Sequence, residues 1–124
     1  SILIVEDDLS LQRLYGMILE NAGFQIIGSA NNGEDAIKMY KSFSLKPEII
    51  LMDHRMPIKN GIEATIEILQ INNSSKIIFA SADNSVKKKA LSIGATSFLE
   101  KPFELNTLIS EIDKALSKSN SLII

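Results

Sequence analysis

The sequence predicts an α/β domain: five βα units wound into one doubly wound parallel sheet. Five short apolar runs, residues 2–6, 25–30, 48–53, 76–81 and 96–100, are mostly Ile, Leu and Val and nearly continuous. Strands covered on both faces read this way, whereas half-exposed strands alternate. Amphipathic helical segments separate the runs, and the short connections imply right-handed crossovers with helices on both faces. Polar residues close the runs at their C-terminal ends, the edge at which such sheets bind ligands.

Taken in order, Ile2-Leu3-Ile4-Val5 leads into Glu6-Asp7-Asp8. Asp8 or Ser10 is placed to cap the first helix, whose apolar stripe is Leu11, Leu14, Tyr15 and Ile18. Gly23 separates that helix from the second run, and Gly33 marks the start of a helix outlined by Ala36, Ile37, Tyr40 and Lys41. Ile49-Ile50-Leu51-Met52 ends on Asp53, and Pro57 and Gly61 mark the turn into a helix carrying Ile62, Thr65, Ile66 and Leu69. Ile77-Ile78-Phe79-Ala80 ends on Ser81, and the segment around Val86, Ala90 and Leu91 has the weakest helical pattern of the five. Gly94 precedes Phe98-Leu99-Glu100, followed by Lys101-Pro102, and the last helix is the clearest, with Leu105, Leu108, Ile109, Ile112 and Leu116.

The chain has 124 residues, enough for one domain with a real core. We expect that domain at residues 1–118, with 119–124, ending in Leu122-Ile123-Ile124, as a C-terminal tail or the start of a linker. A chain that opens directly on its first strand is expected to have lost residues before Ser1. Thirteen basic and fifteen acidic residues leave a net charge of −2, which gives no general reason to bind nucleic acid. No apolar stretch approaches the roughly 20 residues needed to cross a bilayer, so no membrane partner is expected. The absence of cysteine excludes disulfides and thiolate metal ligands, and it suits a cytoplasmic protein.

In a parallel sheet, Glu6, Asp7, Asp53, Ser81 and Lys101 gather at one edge. Three carboxylates held close together resist ionising side by side. A hard divalent cation relieves this, and magnesium suits few protein carboxylates plus waters and phosphate oxygens. One carboxylate can then act as a nucleophile and form an aspartyl-phosphate. In-line phosphoryl transfer needs mainly positioning and neutralisation of the equatorial oxygens. The Lys101 ammonium and Ser81 hydroxyl can each take one of those oxygens.

Val5-Glu6-Asp7-Asp8, Met52-Asp53-His54-Arg55-Met56-Pro57 with Gly61, Ala80-Ser81-Ala82, Gly94-Ala95 and Lys101-Pro102-Phe103 stand in the order found in response-regulator receiver domains. The chain resembles that CheY-like family of two-component signalling over essentially its whole length. The resemblance implies a flavodoxin-like strand order 2-1-3-4-5, with Asp53 as phosphoacceptor from a histidine kinase. It implies magnesium, replaceable by manganese, held by Asp7 and Asp53, by Glu6 through water and by the backbone carbonyl of Arg55. Ser81 and Phe98 become switch residues, Lys101 pairs with the phosphoryl group, and Lys101-Pro102 is a cis bond. Activation would reshape the surface of the fourth helix, fifth strand and fifth helix. That surface would regulate a downstream target or a fused output domain, and the resemblance admits a phosphorylation-dependent homodimer. Such a switch catalyses only its own phosphorylation and dephosphorylation.

Singly, these residues have plainer readings: Glu6-Asp7-Asp8 as a solvated loop, Asp53 as a strand-end acid, Lys87-Lys88-Lys89 as a solvated helix face. Side-chain alternation along a strand points His54 away from Asp53, which favours a structural role. Two other classes compete. Haloacid-dehalogenase-like phosphatases place a second Asp two residues after the nucleophile, where this chain has Arg55. A phosphorylation-independent receiver module would usually lack the acids or the lysine that this chain retains. Arg55 and Asp83 each lie two residues beyond a site position, so both should overhang the site and pair across it.

Overall fold

The computed structural model describes residues 1–120, so Leu122-Ile123-Ile124 of the expected tail lies outside the described residues. The chain runs β1 (Ile2–Val5), α1 (Leu9–Asn21), β2 (Ile26–Ala30), α2 (Gly33–Ser42), β3 (Ile49–Met52), α3 (Gly61–Ile71), β4 (Lys76–Ser81), α4 (Lys87–Ser92), β5 (Ser97–Glu100) and α5 (Leu105–Asn120). All strand pairings are parallel, in the order β2-β1-β3-β4-β5. The expected architecture and strand order are therefore what the chain adopts. The order reverses between β1 and β3, and their carboxyl ends form the crevice of the sheet.

Alternation along each strand sorts the interior into two cores. Leu3, Val5, Ile50, Met52, Ile77 and Phe79 face α2, α3 and α4, where they meet Ile37, Tyr40, Ala64, Ile68 and Ala90. Ile2, Ile4, Ile49, Leu51, Ile78 and Ala80 face α1 and α5, where they meet Tyr15, Leu19, Leu108 and Ile112. Each large aliphatic side chain buried this way contributes about 1.5–3 kcal/mol. Both faces are covered, which explains the continuous apolar runs.

Strand boundaries are shorter than the runs suggest. Glu6 and Asp53 fall just beyond β1 and β3, because pairing stops where the chain turns towards α1 and α3. Three helix stripes also need correction: in α5, Leu105 is 42% exposed and the packing runs through Leu108 and Ile112. Leu14 is 48% exposed and Leu19 is buried, so α1 packs through Leu11, Tyr15 and Leu19. Ile66 is 38% exposed, and α3 packs through Ala64, Thr65 and Ile68. Asp8 rather than Ser10 caps α1, accepting from the Leu11 N–H. The weak fourth segment forms a 3-10 turn at Asn84–Val86 and a six-residue helix without a side-chain cap.

Candidate functional site at the sheet crevice

Glu6, Asp7 and Asp53 come together at the carboxyl ends of β1 and β3, with oxygens all within 4.8 Å of one another. The Asp53 N–H donates to the Val5 carbonyl at 2.9 Å, which locks the two strand ends side by side. Glu6 is only 2% exposed and Asp53 7%, whereas Asp7 is open to solvent. From beyond β5, the Lys101 ammonium reaches Glu6 Oε1 at 2.7 Å and Asp53 Oδ1 at 3.5 Å. Its backbone N–H donates to the Ser81 carbonyl at 2.9 Å, which aims the side chain inward. The Lys101-Pro102 peptide is cis.

Asp53 Oδ1 also accepts from the His54 N–H at 2.8 Å. Glu6 Oε2 accepts from the Asp8 N–H at 3.2 Å. Burial pushes the Glu6 carboxyl up to about 7, the Asp53 charge adds to the rise, and the Lys101 hydrogen bond works against it. Burial comes first in this rise, since a carboxyl taken out of water resists ionising. The donors are carboxylate oxygens only, the ligand type that hard divalent cations take. The residues therefore fit magnesium.

Gly61 sets how closely the loop can return to the site. A Cβ on Gly61 would lie 2.2 Å from the Asp53 carbonyl oxygen and 3.0 Å from the Phe79 ring. Only hydrogen fits there. Asn60 then starts α3 with a reciprocal capping box to Glu63.

The remaining predicted residues surround this centre. Ser81 ends β4, is buried, and accepts from the Asp83 N–H at 3.0 Å. Phe98 is half-buried and stacks on Phe79, with ring centroids 6.3 Å apart and planes 18° apart. Arg55 Nη2 donates to Asp83 Oδ2 at 2.9 Å, so the expected pair forms. Asp83 is held below its usual range, first by hydrogen bonds from Ser85 and then by Arg55. Asp7, His54, Arg55, Asn60 and Asp83 help line an open cavity of about 470 Å³. His54 is half-buried, and its Nδ1 is buried without a partner.

Two contributors escaped the sequence reading. Gln12 Nε2 donates to the Glu6 carbonyl at 3.0 Å and to Asn31 Oδ1 at 2.9 Å, tying the β1–α1 loop to the β2–α2 loop. Tyr15, buried near Glu6 and Asp53, has its phenol pushed up by burial and by those charges. The signal for Gln12 was faint: a polar residue one turn after the Asp8 cap, on the edge of the apolar stripe.

A family model for the response regulator receiver domain matches residues 2–113. The chain belongs to this family. The receiver is 36% identical to the chemotaxis protein CheY of Thermotoga maritima over 115 residues, which are 91% of this chain and 94% of that protein. CheY in the CheX-CheY-BeF3-Mg complex from Borrelia burgdorferi has a TM-score of 0.87 to it at 27% identity, covering 93% of this chain and 87% of that one. A protein-glutamate methylesterase/protein-glutamine glutaminase of Idiomarina loihiensis is 40% identical over 107 residues, 83% of this chain but 27% of that longer protein. Family membership removes the haloacid-dehalogenase-like alternative. Receiver domains act as signalling switches in two-component systems, and this receiver carries the acidic pocket of Glu6, Asp7 and Asp53. Among the described residues no helix is long and apolar enough to cross a membrane.

Proposed function

We propose that the receiver is phosphorylated on Asp53 by a histidine kinase and thereby switches its α4-β5-α5 surface in the cytoplasm. The observation that carries this is the Lys101 ammonium bridging Glu6 and Asp53 inside a three-carboxylate pocket at the sheet crevice. An Asp53 carboxylate oxygen attacks phosphorus in line. The bond from phosphorus to the donor breaks, and its electron pair leaves on the donor's imidazole nitrogen, or on the acyl oxygen of a small acyl phosphate. The His54 N–H holds Asp53 Oδ1, which orients the carboxylate for attack.

Asp7 and Asp53 would hold magnesium directly, Glu6 through water and Arg55 by its backbone carbonyl; manganese substitutes. When bound, the ion supplies positive charge to the phosphoryl oxygens. Lys101 transfers its hydrogen bond from Glu6 to the phosphoryl group. Phosphorylation adds about −1.5 to −2 charges, enough to draw Lys101 and the Ser81 hydroxyl inward. To move, Ser81 must give up the hydrogen bond from the Asp83 N–H. The space it vacates lets Phe98 leave its half-buried position against Phe79, and β5 carries the change to its neighbours. A downstream target, an attached output domain or a second copy of the chain reads that surface.

The test is intact-protein mass after incubation with acetyl phosphate. A magnesium-dependent gain of one phosphoryl group, absent from Asp53→Asn, is the expected result. No gain, together with no beryllofluoride binding, would instead support a phosphorylation-independent interaction module.

A further inference from the structure

The two loops that carry the acids are tied together by a third, the β2–α2 loop, which contributes none of the three carboxylates. The β1–β2 pairing ends at Val5 and Ala30, with the Glu6 N–H on the Ala30 carbonyl at 3.0 Å, and the chain then turns at Asn31 into α2. Where that ladder stops, the Gln12 side chain takes over. Its Nε2 donates to the Glu6 carbonyl at 3.0 Å, to the Ala30 carbonyl at 3.3 Å and to Asn31 Oδ1 at 2.9 Å. An amide nitrogen carries two protons, so one of them is shared between two of these oxygens. Gln12 is itself fixed on α1, because its backbone N–H donates to the carbonyl of the Asp8 cap at 2.8 Å. The Asp8 N–H in turn donates to Glu6 Oε2 at 3.2 Å. Gln12 thereby closes Glu6, Asp7 and Asp8 into a ring of hydrogen bonds. On its other side the β2–α2 loop reaches the loop after Asp53. There the Gly33 N–H donates to the Lys59 carbonyl at 2.9 Å, and a Cβ on Gly33 would lie 2.6 Å from that oxygen.

We propose that Gln12 is a positioning residue for Asp7, with Asn31 as its anchor, and that this pair sets how tightly the site holds its divalent cation. This rests on the proposed reading in which Asp7 and Asp53 are the direct ligands. Asp7 is open to solvent, so its place depends on the backbone that carries it. The Glu6 carbonyl and the Asp7 N–H belong to one rigid peptide plane. Holding that oxygen fixes the plane, and with it the direction in which the Asp7 side chain leaves the chain towards Glu6 and Asp53. Without the amide, the plane can rotate about its flanking bonds, and Asp7 has to be ordered each time an ion binds. Gln12 is neutral, so its influence on a cation is one of geometry rather than of charge. Asn31 keeps the amide turned onto the Glu6 carbonyl instead of towards water.

Calorimetric titration with magnesium compares Gln12→Met, Asn31→Ala, Asn31→Asp and the Gln12→Met/Asn31→Ala double variant with the unaltered chain. Gln12→Met keeps the length of the side chain and removes both donated protons. It is expected to weaken magnesium binding about tenfold, the scale of hydrogen bonds that support a metal's ligands from behind. Asn31→Ala should weaken binding about threefold, the scale of one neutral hydrogen bond exchanged for water. In the double variant it should add nothing, because its contribution passes through the amide. Asn31→Asp keeps an acceptor oxygen for Gln12 and should bind at least as tightly as the unaltered chain. Asn31 is exposed, so its two variants decide the matter independently of whether Gln12→Met folds. A residue that only stabilised the fold would lower the urea midpoint and leave the magnesium affinity of the folded protein unchanged. Unchanged affinity in Gln12→Met or Asn31→Ala, equal losses in Asn31→Ala and Asn31→Asp, or additive losses in the double variant would each overturn the inference. Absence of magnesium binding by the unaltered chain would instead overturn the ligand assignment beneath it.

Discussion

Glu6 spends the resting state as a buried acid with a single cation to share. Its folded pKa, about 7, lies above the ordinary 4.5, so the native state holds this proton more tightly than the unfolded chain does. Stability from this group is fully present below pH 4.5 and lost as pH rises towards 7. In chelator without magnesium, the urea midpoint should fall between pH 5 and pH 8, and Glu6→Gln should flatten that fall. Equal pH dependence in the two proteins would mean that Glu6 is not the group responsible. Arg55 and Asp83 act differently, because their exposed pair is worth little in stability. If Asp53 is phosphorylated as proposed, the expected contribution of the pair is to limit the approach of water to it. Arg55→Ala, Asp83→Ala and the double variant should speed decay of the purified phosphoprotein by a factor of up to about five. Unchanged decay in the double variant would remove that role.

The β3–α3 loop shows how an element is held to its purpose. Asn60 is worth about 1 kcal/mol as a cap, and Asn60→Ala should lower stability by that much. Gly61→Ala should cost more, roughly 2–3 kcal/mol, because the new methyl overlaps backbone that cannot retreat without moving Asp53. Urea denaturation of both variants checks the ranking, and a milder Gly61→Ala would show that the loop has slack. At this scale the sequence was readable where one force dominated. Continuous Ile, Leu and Val runs gave away the strands, since only burial on both faces calls for them. The helix faces were less readable, because apolar residues such as Leu14 and Ile66 also occur on open surfaces. Site positions at strand ends followed from topology alone. Gln12 did not, since it works through the Glu6 and Ala30 carbonyls and the Asn31 side chain, whose arrangement depends on two loops meeting.

Across the whole molecule, the site sits where the two cores meet at the edge of the sheet, with the thinnest helix beside it. α4 has six residues, no side-chain cap, and Ala90 as its one buried residue. Elements with few buried contacts open most easily. Amide exchange should therefore be fastest in Asn84–Ser92 among the internal helical segments, and magnesium with beryllofluoride should slow it there while leaving α2 and α3 unchanged. Uniform protection would argue against a switch routed through α4. The bond between Lys101 and Glu6 has a consequence on another timescale. These partners are 95 residues apart in sequence. A chain emerging from the ribosome makes its acids first and receives the lysine that joins them only later. Until β5 has docked, the three-carboxylate pocket lacks the Lys101 ammonium. The pocket's charge balance is thus a product of long-range folding, and no local stretch of the chain can assemble it.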